Sequence, residues 1–279
     1  MRDCGGDGPP AVLVPSLINP PTVLDLDEDV SLAAAVARMG RHVLLLDWGD
    51  ARHRADLDVT GHIEQRLLPL LRGLDEPPAL IGYCLGGTMA IAAANLIEVE
   101  RVATLATPWT FAAYPEDTRA PLLELWRRAE PAATALDALP MEVLQSAFWS
   151  LDPARTVGKF ARLAELGPQG AEARRFVALE DWANEGEPLP LPAARELIED
   201  LFVADLPGSD SWMVIGRAMS DRLTTPVLHC IASNDRIAPA ETAPRGAAVH
   251  IAAGHVGMIV GSARGQLQAA LKDFLTPCR

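Results

Sequence analysis

The stretch 82–88 has the sequence Gly82-Tyr83-Cys84-Leu85-Gly86-Gly87-Thr88, and it decides the fold expected for the chain. It follows the short apolar run 78–81 and precedes a helix-forming stretch that is rich in small residues. A strand, a tight turn and a helix in this order form an elbow that presents a reactive side chain, and glycines two residues to either side avoid collisions with the neighbouring strand and helix. Cys84 occupies the tip of that elbow, so it is the first candidate nucleophile.

Outward from the elbow, short apolar runs alternate with helical patterns. Strands are predicted at 11–14, 42–47, 79–83, 102–106, 226–232 and 248–252. Apolar runs of this length are typical of strands that are buried on both faces. Helices are predicted at 29–39 between Asp29 and Gly40, around 63–71 with a bend at Pro69, and from Ser262 to the apolar stripe that ends at residue 275. The alternation predicts an α/β fold with a mainly parallel, doubly wound sheet.

The alternation stops after Thr107-Pro108-Trp109 and resumes at residue 226. The intervening segment has a helical pattern, is punctuated by prolines and contains much of the tryptophan of the chain. Helices are predicted at 122–129, 141–149, 155–166, 171–182 and 193–202, followed by a hairpin about Gly216. We therefore expect an α/β core formed by residues 1–107 and 223–279, with a helical cap, or lid, inserted at 108–222. Aromatic side chains of the segment either line an apolar tunnel or pack its helices against the sheet.

Length and composition limit the class of protein. With 279 residues, 49% of them hydrophobic, the chain can bury one large core. No apolar stretch approaches the roughly 20 residues of a membrane span, and the start has no signal-peptide core, so we expect a cytoplasmic protein without a membrane span. Cys4, Cys84, Cys230 and Cys278 lie far apart without metal-ligand spacing, which predicts neither a disulfide framework nor a metal site. Cys230, inside a predicted strand, is expected to be an inert buried thiol.

The net charge of −13 argues against nucleic-acid binding, which needs an exposed basic surface. Basic residues nevertheless gather in one part of the chain, namely Arg119, Arg127, Arg128, Arg155, Lys159, Arg162, Arg174 and Arg175. Solvent-facing helix charges are the favoured explanation, and an anionic ligand is the alternative.

Two residues late in the chain complete a candidate catalytic triad with Cys84. Asp235 and His255 each follow a predicted strand, at the sheet edge where such folds place their sites. Each has a structural explanation alone, since Asp235 can cap the following turn and His255 can be a structural histidine. The order nucleophile, acid, histidine is that of α/β-hydrolases, and it favours catalysis. Asp47 and Asp50 are weaker candidates for the acid because they precede the nucleophile.

Acyl transfer also needs N–H donors for the oxyanion of its transition state. The backbone N–H of Leu85, directly after the nucleophile at a helix start, is expected to be one donor. The second is expected from the loop after the first core strand, where Ile18 is preferred to Asn19.

These residues resemble the catalytic subunit of polyhydroxyalkanoate synthases, which are acyltransferases with the α/β-hydrolase fold. The resemblance covers the Cys84 box and the segments 18–26, 46–49, 107–108, 176–182, 235–239 and 254–258. It implies that Cys84, His255 and Asp235 take a 3-hydroxyacyl group from coenzyme A and pass it to a growing polyester. It also implies that the coenzyme A thioester is a substrate and not a cofactor, that the protein associates with polyester granules, and that it forms a homodimer or binds an accessory synthase subunit.

Two departures from the family keep alternatives open. The chain begins almost at the first matching strand, without the N-terminal region that synthases carry, and the stretch between Asp235 and His255 is shorter than usual. A cysteine-dependent ester or thioester hydrolase, including a polyester depolymerase, is the first alternative. A catalytically silent granule-binding or partner subunit is the second.

Overall fold

The computed structural model describes residues 1–151, 158–161, 163 and 170–276. A seven-stranded sheet lies at its centre, made of β1 (Arg2–Asp3), β2 (Pro10–Val14), β3 (His42–Leu45), β4 (Ala79–Tyr83), β5 (Arg101–Leu105), β6 (Val227–Ala232) and β7 (Ala248–Ile251). The strands lie in the order β1-β3-β2-β4-β5-β6-β7. Strand β1 is antiparallel to β3, and all other neighbours are parallel. The predicted α/β fold with a mainly parallel sheet is confirmed.

Helices flank the sheet and fill the long connection between β5 and β6. In chain order they are α1 (Leu32–Ala37), α2 (Val59–His62), α3 (Leu68–Arg72), α4 (Leu85–Leu96), α5 (Glu116–Leu136), α6 (Met141–Ser150), α7 (Ala171–Asn184), α8 (Leu191–Arg195), α9 (Gly257–Val260) and α10 (Arg264–Leu275). None of the helices in the described ranges is both long and apolar enough to cross a membrane.

Two details of the core differ from the sequence prediction. Helix α1 is capped by Ser31, whose Oγ accepts from the Ala34 N–H at 2.8 Å, and not by Asp29. The predicted start was wrong because Asp27 forms a turn here: its carboxylate accepts from the N–H groups of Asp29 and Val30. The two-residue strand β1 was missed because it is an exposed polar edge without an apolar run.

Pro69 alters the second helical region, as predicted. Helix α2 continues through a π-helical turn, Ile63–Leu67, into α3, and the N–H of Leu68 donates to the carbonyl of Ile63. Proline has no N–H to donate and its ring crowds the preceding turn, so the chain widens by one residue there.

The connection between β5 and β6 is largely helical, and α6 and α7 match their predictions within two residues. Helix α5 is longer than predicted because it runs through Pro121 and Pro131. Helix α8 continues as a π-helical segment, Glu196–Val203, and a hairpin turns at Ile215 and Gly216. The predicted helix 155–166 falls largely outside the described residues. The division into a core and a cap at residues 108 and 222 stays a prediction.

The sheet has a buried core on each face. Successive residues of a strand point to opposite faces, so in β4 Leu80 packs into one core and Ile81 into the other. Both are fully buried, and each such side chain stabilises the fold by about 1.5–3 kcal/mol. The two layers hold the carboxyl ends of the strands, and the loops that follow them, in fixed positions.

Candidate active site

The nucleophile elbow is formed by β4, Cys84 and α4. Cys84 has φ +55° and ψ −130°, a left-handed conformation that a non-glycine residue adopts only when its surroundings impose it. The glycines allow the required packing. A Cβ at Gly82 would lie 2.4 Å from the Cα of Gly87, and one at Gly86 would lie 2.1 Å from the carbonyl oxygen of Val14. The elbow predicted from stretch 82–88 therefore has a physical basis in the close approach of three backbone segments.

Asp235 and His255 lie in the loops after β6 and β7, and the fold brings them together. His255 Nδ1 donates to Asp235 Oδ2 at 2.7 Å, and both residues are 8% exposed. The other carboxylate oxygen, Oδ1, accepts from the N–H groups of Ile237 at 2.8 Å and Ala238 at 3.0 Å. Asp235 is therefore held from two sides, and it fixes both the orientation and the tautomer of the imidazole.

Cys84 and the imidazole of His255 line the same cavity, and the charge of Cys84 influences the pKa of the imidazole. Because Nδ1 is engaged with Asp235, Nε2 is the ring nitrogen that remains for the thiol. Burial alone lowers the pKa of His255, but the charges of Asp235 and Cys84, together with the hydrogen bond to Asp235, raise it to about 10. The arrangement thus favours a protonated imidazole beside the sulfur, which is the pairing that activates a cysteine nucleophile.

Tyr83 packs against this pair in a way that the sequence did not indicate. Its ring lies 5.0 Å from that of His255, centroid to centroid, at an interplanar angle of 40°. Its hydroxyl is buried and finds no hydrogen-bond partner among the described residues. Burial, together with the nearby charges of Cys84 and Asp235, raises the pKa of Tyr83 well above its usual value, so the phenol stays neutral.

A cavity of about 240 Å³ opens onto the sulfur of Cys84, which is partly exposed. We call it the catalytic cavity. From the sheet it is lined by Ser16, Ile18, Cys84, Asp235 and His255, and from the helical connection by Gln145, Phe148, Trp149, Lys159 and Trp182. An apolar wall with a few converging polar groups is typical of a site for a small organic substrate.

The two expected oxyanion donors lie beside the nucleophile and stay predictions. The N–H of Leu85 belongs to the first residue of α4 and so has no acceptor within the helix. The N–H of Ile18 donates to Ser16 Oγ at 3.3 Å, slightly longer than a good hydrogen bond, so a substrate oxygen can compete for it. The side chain of Asn19 instead reaches the carbonyls of Trp182 at 3.4 Å and Ala183 at 3.5 Å, which ties this loop to α7.

The aromatic residues divide between cavity and core. Phe148, Trp149 and Trp182 line the catalytic cavity, whereas Trp109, Phe111, Trp126 and Trp212 are buried in the core. Residue type alone does not separate these groups. Helix α6 carries one usable signal, because Met141 and Leu144 begin a buried stripe that leaves Trp149 outside it, 51% exposed.

The competing candidates of the sequence have structural roles. Cys230 is 1% exposed, and burial raises the pKa of its thiol to about 12, so it is inert as predicted. Asp50 caps the short helix Ala51–Arg54, and with Asp47 it lines a different cavity. Among the described residues no group of three or more His, Cys, Asp or Glu side chains is arranged to hold a metal ion.

Several basic residues of the helical connection are paired with carboxylates, whereas Arg119 donates to the Phe202 carbonyl at 3.0 Å. The pairs are Arg127 and Arg128 with Glu124, Lys159 with Glu180, and Arg175 with Asp27 and Asp29. Surface pairs of this kind favour the explanation as solvent-facing helix charges. Arg155 and Arg162 lie outside the described residues.

Comparison with known sequences extends these observations. A model of the alpha/beta hydrolase family matches residues 12–266. The chain is 27% identical to the poly(3-hydroxyalkanoate) polymerase subunit PhaC of Haloferax mediterranei, over 95% of this chain and 58% of that protein. It is also 27% identical to the subunit of the same name from Allochromatium vinosum, over 95% and 80% of the two chains. The chain thus spans little more than half the length of the first of these relatives. The resemblance inferred from the sequence is confirmed.

Solved structures share the fold. A hydrolase from Pseudomonas aeruginosa superposes with a TM-score of 0.62 at 19% identity, covering 99% of this chain and 93% of that one. A hydrolase from Oleispira antarctica gives 0.59 at 13% identity, covering 98% and 93% of the two chains. At such identities the likeness concerns the fold alone.

Proposed function

Because this chain belongs to the α/β-hydrolase family, we propose that its elbow cysteine is an enzymatic nucleophile and that the protein is an acyltransferase of the polyhydroxyalkanoate synthase type. The observation that carries the proposal is the convergence of Cys84, His255 and Asp235 on one cavity at the carboxyl edge of the sheet, with His255 hydrogen-bonded to Asp235. The relatives named as polymerase subunits support the choice of substrate, a 3-hydroxyacyl thioester of coenzyme A, and a polyester chain as the product.

In the first half of the reaction the acyl group moves to the enzyme. Cys84 gives its proton to His255 Nε2, and the sulfur attacks the thioester carbonyl carbon. The backbone N–H groups of Leu85 and Ile18 receive the oxyanion. The bond between that carbon and the sulfur of coenzyme A then breaks, and the departing thiolate takes the proton back from His255. One thioester replaces another, so the step is close to isoenergetic and the acyl group stays activated.

In the second half a hydroxyl group accepts the acyl chain. The hydroxyl gives its proton to His255 while its oxygen attacks the acyl carbon on Cys84, and the bond from carbon to the cysteine sulfur breaks. Asp235 stabilises the imidazolium in both halves by accepting from Nδ1. The products are a new ester and the regenerated ion pair of Cys84 and His255.

In the proposed reaction, the helices between β5 and β6 act as a cap over the catalytic cavity. Helix α6 contributes Phe148 and Trp149 to the cavity wall, and α7 contributes Trp182, whose Nε1 donates to the Pro20 carbonyl at 2.8 Å. Apolar side chains over the acyl group reduce the access of water and so favour transfer to a hydroxyl over hydrolysis.

A hydrolase of the same fold is the second candidate, and the exposure of the sulfur favours it. Cys84 is partly exposed in the structure, so solvent reaches the position of the acyl group. Water attacking the acyl-cysteine would release a free hydroxy acid by the same proton transfers.

Product analysis with 3-hydroxybutyryl-CoA tests the proposal. Release of coenzyme A with oligomeric or polymeric 3-hydroxybutyrate supports the transferase, whereas free 3-hydroxybutyrate supports the hydrolase. Cys84→Ala should abolish either product, and Cys4→Ala, which removes a thiol directly after the edge strand β1, should leave both unchanged. Absence of both products, together with iodoacetamide labelling of Cys84 no faster than that of a model thiol, would favour a silent subunit.

A further inference from the structure

A second cavity of about 90 Å³ adjoins the catalytic cavity. We call it the inner cavity. Its own wall comes from α5, α6 and the π-helical segment, chiefly Leu122, Leu125, Ala147 and Phe202. Three further side chains, those of Phe148, Leu151 and Ile237, line both cavities. The two spaces are therefore separated by the thickness of single side chains.

The wall of the inner cavity is mainly apolar. Two of its three hydroxyl groups are already engaged: Tyr114 donates to the Ile237 carbonyl at 2.9 Å, and Ser150 donates to the Ala147 carbonyl at 2.7 Å. The remaining wall consists mostly of aliphatic and aromatic side chains, which favour an apolar group over a polar one. Alkyl groups are the chemical class that this wall accepts.

The inner cavity also lies close to the reacting atoms. Ile237, which lines both spaces, donates its N–H to Oδ1 of Asp235, so the partition includes the loop of the triad acid. Phe148 forms the opposite part of the partition and is only partly buried. An acyl chain that starts at Cys84 and passes between these two residues would enter the inner cavity.

On the basis of the proposed acyl transfer, we propose that the inner cavity receives the alkyl part of the acyl group held on Cys84, and that Phe148 and Ala147 set the length of chain that is accepted. At about 90 Å³ the inner cavity is much smaller than the catalytic cavity of about 240 Å³, so it can hold only part of an acyl chain. It therefore matches the last carbons of a medium-length chain and offers little to a butanoyl group.

Ala147 offers the most direct variant, because it lines the inner cavity and not the catalytic one. Ala147→Leu should fill the inner space and leave the surroundings of Cys84 unchanged. Phe148→Ala should open the partition. Ser146→Ala is the matched control on the same helix, since Ser146 is exposed and lines neither cavity.

The readout is acylation of Cys84 by p-nitrophenyl butanoate, hexanoate and octanoate, in which the sulfur displaces p-nitrophenolate and forms the thioester. Burial of one methylene changes a rate constant by about fourfold. Ala147→Leu should therefore lower the hexanoate-to-butanoate ratio of acylation rates about tenfold or more, with the butanoate rate unchanged. Phe148→Ala should raise the octanoate-to-butanoate ratio by a similar factor, and Ser146→Ala should leave both ratios within about twofold of wild type.

The proposal is overturned if Phe148→Ala and a folded Ala147→Leu both leave the ratios at the wild-type values, or if Ser146→Ala shifts them equally. If Ala147→Leu does not fold, the Phe148→Ala ratio alone decides. The same variants are then assayed with 3-hydroxybutyryl-CoA and 3-hydroxyhexanoyl-CoA. If the ester ratios shift but neither thioester is turned over, the proposed function is wrong and the role of the inner cavity is supported. If the thioesters are turned over but the ester ratios do not shift, the proposed function is supported and the role of the inner cavity is wrong.

Discussion

Replacement of Asp235 by asparagine changes one atom of the candidate triad and tests whether Asp235 sets the tautomer and the charge of His255. Oδ1 of Asp235 accepts from the N–H groups of Ile237 and Ala238, so in Asp235→Asn the carbonyl oxygen must stay there. The new NH2 group then faces His255 Nδ1, in place of the Oδ2 that now lies 2.7 Å away. Two N–H donors cannot face each other. The imidazole proton therefore moves to Nε2, and that nitrogen can no longer take the proton of Cys84.

The size of the effect follows from the lost charge. Two unit charges about 4 Å apart attract by about 4 kcal/mol at an effective dielectric constant of 20, which corresponds to about 3 pKa units. The side chains of His255 and Asp235 are 8% and 0% exposed, so water screens this attraction little. Without it, the pKa of His255 falls by about that amount, from about 10 toward its ordinary 6.5. Since the cation then no longer stabilises the thiolate, we expect alkylation of Cys84 at pH 7 to slow by on the order of 100- to 1,000-fold.

The assay is the rate of iodoacetamide labelling of Cys84, followed by peptide mass between pH 5 and pH 10. Wild type should label rapidly through the neutral range, whereas Asp235→Asn should label slowly until hydroxide itself ionises the thiol. Glu241→Gln removes an exposed charge downstream on the same loop and should behave as wild type. If a folded Asp235→Asn protein labels at the wild-type rate at pH 7, then the ion pair is not what activates the cysteine, and the proposed mechanism is wrong.

Three further outcomes are expected from the structure. The pKa of His255 in the folded protein is raised from 6.5 to about 10, so its contribution to stability is complete below pH 6.5 and is lost as the pH rises toward 10. In urea titrations the free energy of unfolding should therefore fall by about 1.4 kcal/mol per pH unit over this range. Asp235→Asn should reduce this pH dependence. Gly86→Ala would bring a Cβ to 2.1 Å from the Val14 carbonyl oxygen, so it should lower the free energy of unfolding by about 3 kcal/mol or prevent folding. At Gly265 nothing lies within 4 Å of an added Cβ, so Gly265→Ala should raise the free energy of unfolding by about 0.5–1 kcal/mol. Thermal unfolding of the two variants and of wild type measures both changes. Tyr83→Phe removes a buried hydroxyl that bonds no described residue, so stability by urea titration should stay constant or rise by about 1 kcal/mol, and a clear loss would reveal a partner.

Most of the fold could be predicted from the sequence because its signals are local. Apolar runs flanked by turn residues mark the six parallel strands, and the two glycines around Cys84 mark the elbow. The sequence predictions were wrong where the start, the end or the existence of an element depends on contacts with residues outside that element. Ser31 caps α1 because Asp27 had already organised the preceding turn, and α5 runs through Pro121 and Pro131 although proline usually ends a helix. Strand β1 forms because its backbone pairs with the edge of β3, and its own residues carry no strand pattern.

The residues of the candidate triad could be predicted for a topological reason that does not extend to the rest of the site. Parallel strands bring their carboxyl ends to one edge, so three side chains that each follow a strand must lie near one another whatever their separation in sequence. The helices that cover the edge obey no such rule. Phe148, which lines both cavities, and Trp126, which is buried in the core, are both aromatic residues of helices in this connection, and they have different surroundings. In the proposed function, chain-length preference and the choice between water and a hydroxyl as acceptor depend on these helices. The order of the strands therefore predicts where the candidate nucleophile lies, whereas the substrate of the proposed reaction would depend on the packing of α5, α6 and α7, which the sequence pattern does not predict.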